Sequence, residues 1–167
     1  FLAFGDFGSK NTKQYRVAAT MNRYASEMKQ SLDGVLALGD NFYGKYTPER
    51  FKLHFEDLYE KDKLNCPFYA CLGNHDYEYY NPSEHSGPRK MDAQLAYSQE
   101  NPDSRWKMPK KWFSKEFSLD GKPMLRLISL DSNMREGDLT PQEKLEQKRF
   151  MEGVIEKGTS APWTILM

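Results

Sequence analysis

Val35-Leu36-Ala37-Leu38-Gly39-Asp40-Asn41-Phe42-Tyr43 sets four apolar residues, without alternation, ahead of a short loop rich in oxygen and nitrogen donors. An unbroken apolar run reads as a strand covered on both faces of a largely parallel sheet. The same arrangement flanks it on both sides: Phe1 to Phe4 leads into Gly5-Asp6-Phe7-Gly8, and Phe68 to Leu72 leads into Gly73-Asn74-His75-Asp76. Three such junctions predict an α/β fold with its chemistry at the C-terminal ends of the strands.

Between the junctions the pattern turns helical. From Asn11 to about Gln30, Tyr15, Ala18, Met21, Ala25 and Met28 recur at three- and four-residue steps, which predicts a helix packed on the sheet. Thr47-Pro48 predicts an N-cap followed by a first-turn proline, with Phe51, Phe55 and Leu58 as the buried face of a second helix. Tyr77 to Pro109 is broken by Asn-Pro and Ser-Gly-Pro around one amphipathic segment, Met91 to Tyr97, and predicts a long, partly helical loop over the site. Asp120-Gly121 predicts a hairpin between Lys111–Leu119 and Pro123–Leu130 that joins the sheet. Thr140-Pro141-Gln142-Glu143 is a capping box that starts a helix ending near Gly158, and Trp163 to Met167 predicts a last strand.

The chain has 167 residues, 38% of them hydrophobic and 14% aromatic, enough for one domain with a real core, residues 1–167. Its 24 basic and 24 acidic residues balance, so no field gathers nucleic acid or an anionic membrane surface. Neither is expected as a partner, and no apolar stretch approaches the roughly 20 residues that span a bilayer. The expected partner is small, and the oxygen and nitrogen donors on the three loops suit a phosphorylated substrate. Cys66 and Cys71 are too far apart along a strand for a local bridge and predict buried free thiols. The chain opens without Met inside a strand and closes inside another, which reads as a fragment.

Carboxylates, an amide and a phenol on adjacent strand-end loops suit two cations about 3.5–4 Å apart that activate water and clamp a phosphoryl group. Asp40, on the middle of the three loops, is the natural bridging ligand. Asp6 and Tyr43 then serve one metal and Asn74 the other. A phenol with an ordinary pKa near 10 yields its proton only to a strongly Lewis-acidic ion, so Tyr43 points to Fe(III). The neutral amide of Asn74 suits a divalent ion: Fe, Zn or Mn. His75, next in sequence, can protonate the leaving alkoxide or hydrogen-bond a phosphate oxygen, with Asp76 to orient it.

With these residues in place the chain resembles the calcineurin-like metallophosphoesterase superfamily, and within it the small, tartrate-resistant type of purple acid phosphatase. The resemblance is carried by the three loops, by Arg50 to Asp76, by Ala93-Gln94-Leu95-Ala96-Tyr97-Ser98, by the Arg105-Trp106-Lys107-Met108-Pro109 turn and by the Leu130-Asp131 strand end. It implies a β-sandwich flanked by helices in four layers, α/β/β/α, incomplete over this span. It also implies Asp6 and Tyr43 as iron ligands, Asp40 as bridge, Asn74 as second-metal ligand and His75 as the catalytic residue. The implied activity is a binuclear-metal acid phosphatase that cleaves phosphomonoesters through a metal-bound hydroxide. The alternatives are a phosphodiesterase or nucleotide hydrolase on the same scaffold, or a binding protein that kept the fold and lost its metals. The family's three further histidine ligands, in two later loops, are absent here, so residues 1–167 alone are expected to bind metals poorly and to be inactive. The resemblance implies secretion or an acidic organelle, although no Asn-x-Ser/Thr acceptor supports glycosylation.

Other residues read as structural. His54 sits on the second helix, and His85 belongs to a variable loop where it could also reach substrate. Asp131 either supports the site or caps the following turn. Arg89-Lys90 and Lys110-Lys111 read as solvated charge pairs, and Tyr77, Tyr79 and Tyr80 either rim the site or pack the loop.

Overall fold

The computed structural model describes residues 1–135 and 138–167. They form two compact units, Phe1–Met108 and Pro109–Met167, each with its own sheet.

In the first unit β1 (Leu2–Phe4), β2 (Val35–Leu38), β3 (Phe68–Cys71) and β4 (Trp106–Lys107) lie side by side in that order, all parallel. The register aligns Phe4 with Ala37 and Ala37 with Ala70, so the three loops leave the sheet at one level. β3 is buried throughout and β2 up to Leu38, as unbroken apolar runs require, while edge strand β1 alternates. The expected turn at 105–109 supplies β4 instead: Trp106 is fully buried, and Phe68 N–H donates to the Arg105 carbonyl at 2.6 Å.

Helix α1 (Thr12–Glu27) starts where Asn11 Oδ1 accepts the N–H groups of Lys13 and Gln14. Its buried face is Gln14, Ala18, Met21 and Asn22, with Ala25 packed against the core; Ala18, Met21 and Ala25 belong to the expected stripe, whereas Tyr15 is 45% exposed. Polar residues take the inner face because they have partners there. Gln14 donates to the His54 carbonyl, and Asn22 exchanges bonds with Leu58 and Glu60. The second helix begins as α2 (Glu49–Phe51), with Pro48 at its cap, and widens into a π-type turn over Lys52–Glu56. Phe51 and Phe55 are buried as expected. They join Phe4, Phe7, Phe42, Tyr59, Phe68 and Trp106 in mostly tilted and edge-to-face contacts, and Tyr97 stacks flat on Phe51 at 3.9 Å.

α3 (Lys90–Glu100) follows a loop that is exposed over 83–88. Its fully buried residues are Lys90 and Gln94, four apart on one face, so Lys90 is not solvated surface. Tyr77 lies in the core, Tyr80 packs on Tyr46 at 4.7 Å and Tyr79 lies beneath the Arg89 guanidinium, so these rings pack the loop.

The second unit has β5 (Phe113–Leu119) antiparallel to β6 (Lys122–Ser129), and β7 (Trp163–Leu166) parallel to β6. The hairpin therefore builds a separate sheet rather than extending the first. α4 (Pro141–Lys157) starts at the Thr140–Glu143 capping box and ends at Gly158, with φ 63°, as its sequence predicts. Asp131 Oδ1 accepts from the Asn133 backbone and amide and so ties down the following turn. Both cysteines are free and buried. Among the described residues no helix is long and apolar enough to cross a membrane.

Candidate functional site

Alternating anchors aim the loops. Phe7 is 5% exposed and Phe42 1%, so each loop is pinned in the aromatic core beside a polar residue, Asp6 and Tyr43. Asp6 N–H donates to the Gly39 carbonyl, Gly8 N–H to the Asp40 carbonyl and Tyr43 N–H to the Gly8 carbonyl, which zips the first loop to the second. The third closes by contact. A Cβ at Gly73 would lie 2.2 Å from Asp40 Oδ1, and one at Gly8 2.0 Å from the Asn41 carbonyl oxygen, so only glycine fits at either point.

Asp6 and Asp40 both hold left-handed backbone, with φ 55° and 54°. That conformation costs about 1 kcal/mol or more even for aspartate, and it persists where surrounding contacts enforce it. Its result is convergence. The Tyr43 hydroxyl lies 2.6 Å from Asp6 Oδ1 and 2.8 Å from Asp40 Oδ2, its one proton shared between the two carboxylates, while Asp40 Oδ1 accepts the His75 N–H at 2.9 Å. Burial and these two carboxylates push the Tyr43 phenol well above its ordinary value. Asn74 opens the 3₁₀ turn Asn74–Tyr77, half-buried, between Gly73 and His75, both of which touch Asp40. The His75 ring lies 4.3 Å from that of Tyr43.

Three buried charges bond the loop backbones. Asp76, fully buried, accepts from the N–H groups of Gly73, Asn41 and Phe42 and from the Gln94 amide. Burial pushes its carboxyl up to about 6 against the pull of those donors. Arg50 donates to the carbonyls of Gly8, Tyr43 and Lys45, and burial lowers its guanidinium to about 10. Lys90 donates to the carbonyls of Phe42 and Gly44 and to Glu78 Oε2. The role expected of Asp76 falls to Glu78, whose Oε1 lies 2.7 Å from His75 Nδ1. The sequence reading missed Glu78, Lys90, Gln94 and Arg50. The one available signal was the four-residue spacing of Lys90 and Gln94 on α3.

His54 and His85 stand apart from this cluster. His54 is half-buried with its pKa lowered by burial, Arg50 and Lys10, and His85 is exposed at φ 49°. Among the described residues no group of three or more His, Cys, Asp and Glu side chains gathers as a metal site. The donors that do converge are two carboxylates and a phenol, an all-oxygen set whose chemistry fits a hard trivalent cation.

A family model described as calcineurin-like phosphoesterase matches residues 1–167. The chain is 33% identical over 111 residues to purple acid phosphatase 4 of Arabidopsis thaliana, covering 64% of this chain and 29% of that protein. It is 32% identical over 129 residues to tartrate-resistant acid phosphatase type 5 of Mus musculus, covering 71% of this chain and 36% of that protein. It therefore spans about a third of the length of the curated relatives it matches. Among solved structures it is similar to one described as GAP50, the anchor in the inner membrane complex of Plasmodium. That match has a TM-score of 0.72 and 18% identity, over 99% of this chain and 52% of that one. The parallel sheet, the loops level at its C-terminal edge and the match along the whole chain lead to one conclusion: the chain belongs to the calcineurin-like phosphoesterase family.

Proposed function

We propose that the protein to which this chain belongs is a binuclear-metal acid phosphatase that hydrolyses small phosphomonoesters. The observation that carries the reading is the Tyr43 hydroxyl held between Asp6 and Asp40, whose backbones are both left-handed. In this reading Asp6, Tyr43 and Asp40 would hold Fe(III), and Asn74 with Asp40 would hold a second, divalent ion. When bound, the cations supply Lewis acidity, which lowers the pKa of water and offsets charge on the phosphoryl oxygens. Tyr43 would hold the ion as a phenolate, with its proton released to solvent, and Asp6 and Asp40 would then be available as ligands. His75, one residue beyond Asn74, supplies a proton to the leaving alkoxide. Gly73, Gly8 and the buried charges of Asp76, Arg50 and Lys90 hold these groups in register, so little reorganisation is needed at reaction. Work at acid pH, in secretion or an acidic organelle, goes with this reading, supported by the acid phosphatase relatives.

The test uses the complete protein. Iron-loaded wild type should show a visible phenolate-to-Fe(III) absorption that Tyr43→Phe abolishes, and should cleave a phosphomonoester faster than a bis-ester. An absorption that survives Tyr43→Phe removes the assigned ligand. A faster bis-ester reaction makes the protein a phosphodiesterase, and full metal binding with no turnover makes the fold a binding scaffold.

A further inference from the structure

Lys90 is fully buried, and all three of its ammonium donors are used. Nζ donates to the Phe42 carbonyl at 2.9 Å, to the Gly44 carbonyl at 3.2 Å and to Glu78 Oε2 at 2.7 Å. The first two acceptors flank Tyr43. The third is the carboxylate whose other oxygen meets His75 Nδ1 at 2.7 Å. The backbone repeats the connection, since Lys90 N–H donates to the Glu78 carbonyl and Glu78 N–H to the His75 carbonyl. A buried ammonium is costly to desolvate, and a loop alone could be fixed by neutral groups. Here the charge reaches both residues that meet over Asp40. Burial raises the Glu78 carboxyl, but the bonds from Lys90 and His75 outweigh it and hold it below the ordinary range.

We infer that Glu78, anchored by Lys90, is the positioning residue for His75: it fixes the ring's orientation and tautomer and so presents Nε2 for proton transfer. An ionised carboxylate only accepts, so Nδ1 carries a proton that stays in the Glu78 bond. The Tyr43 ring on one face of the imidazole limits rotation about the remaining axis. With Nδ1–H held in that bond, the ring keeps Nε2 toward the leaving oxygen and passes a proton to it, as water adds to phosphorus and the P–O bond breaks, without turning. Carboxylates behind the imidazoles of metal sites contribute on the order of 10- to 100-fold, and an effect of that order is expected behind His75. The inference rests on the reading of His75 as the proton donor.

The experiment compares wild type, Glu78→Gln and His75→Ala in the complete protein. Glu78 is 33% exposed, so glutamine fits without a void. Substrates are an alkyl phosphate, whose leaving group needs a proton, and a dinitrophenyl phosphate, whose leaving group does not. Glu78→Gln should lower kcat on the alkyl ester by about 30-fold with KM little changed, and leave the dinitrophenyl ester within about twofold. His75→Ala should show the same pattern, larger. Nitrogen NMR of the diamagnetic, metal-free protein should show His75 as the Nδ1–H tautomer in wild type and as a mixture in Glu78→Gln. If His75→Ala affects both esters equally, His75 is not the proton donor and the inference falls with it. If His75→Ala shows the split while Glu78→Gln keeps wild-type kinetics and tautomer, the role of Glu78 alone is overturned.

Discussion

Asp6, Asp40 and Asp120 share one backbone conformation, with φ of 55°, 54° and 50°, and use it differently. Asp120 precedes Gly121, also left-handed at φ 74°, in the two-residue turn that joins β5 to β6. A Cβ added at Gly121 would meet nothing within 4 Å. That turn spends left-handed backbone on matching the twist of two strands, and any residue pair tolerant of the conformation serves. At the ends of β1 and β2 the same φ brings two carboxylates to one hydroxyl, and a Cβ added to the glycines packed on those loops would fall about 2 Å from other atoms: 2.0 Å at Gly8 and, at the end of β3, 2.2 Å at Gly73. The difference separates a local device from a tertiary one. The turn is set by its own four residues, the loops by what other loops press against them.

The comparison breaks most directly at the glycines. Gly73→Ala must drive Asp40 away, because both its carboxylate and its backbone nitrogen, at 2.3 Å, stand where the methyl would go. The first unit should lose about 3 kcal/mol. Gly121→Ala places its methyl in open space and strains only its own φ, costing the second unit about 1 kcal/mol. Urea midpoints, followed by hydrogen exchange in each unit, measure both. Equal losses would mean that close approach does not distinguish the site.

A gentler contrast substitutes carboxamides. Asp76→Asn sets an NH₂ group among the donors from Gly73, Asn41, Phe42 and Gln94, and unpaired buried donors should cost about 2 kcal/mol. Asp120→Asn keeps a side chain that tolerates left-handed backbone and should stay within about 0.5 kcal/mol of wild type. Thermal unfolding of the metal-free protein separates the two, and similar shifts would deny Asp76 its part in joining the loops.

The same divide decides what was legible in the sequence. The Thr140–Glu143 box, Pro141 and Gly158 act within a few residues of themselves, and α4 begins and ends where they predict. Apolar runs gave β2 and β3 because burial on both faces leaves no choice of residue. Asp6, Asp40, Tyr43 and His75 could be named because each follows a readable strand, and the structure sets the Tyr43 hydroxyl against both carboxylates and the backbone of His75 on Asp40. Lys90, Gln94 and Arg50 could not be read this way. Each is a polar residue in a helix pattern, and its burial follows from carbonyls and amides up to 53 positions away in sequence. Tyr15 shows the converse, since the apolar periodicity of α1 holds at Ala18 and Met21 but Tyr15 turns outward, and Gln14 and Asn22 take the inner face with polar partners beneath the helix.

The smallest expected effect sharpens the contrast through acid. Glu143 closes the α4 cap by accepting the Thr140 N–H at 2.8 Å and pairs with Lys111 at 2.7 Å. Burial raises its carboxyl, but the bonds from Lys111 and Thr140 outweigh it and the folded value lies below the ordinary 4.5. A carboxyl depressed on folding lends stability that is fully present above its unfolded value and is lost as pH falls through the folded one. The first turn of α4 should therefore loosen between about pH 5 and pH 3, by about 1 kcal/mol for a cap of this kind. Glu143→Gln should remove most of that slope and should already be weaker at neutral pH. Because Thr140 lies three residues away and Lys111 belongs to the same unit, Pro109–Met167, the slope should be the same with or without added iron. Amide exchange over 141–145 measures it, and a slope that survives Glu143→Gln, or that shifts on metal loading, would assign the acid response of α4 to groups beyond its own cap.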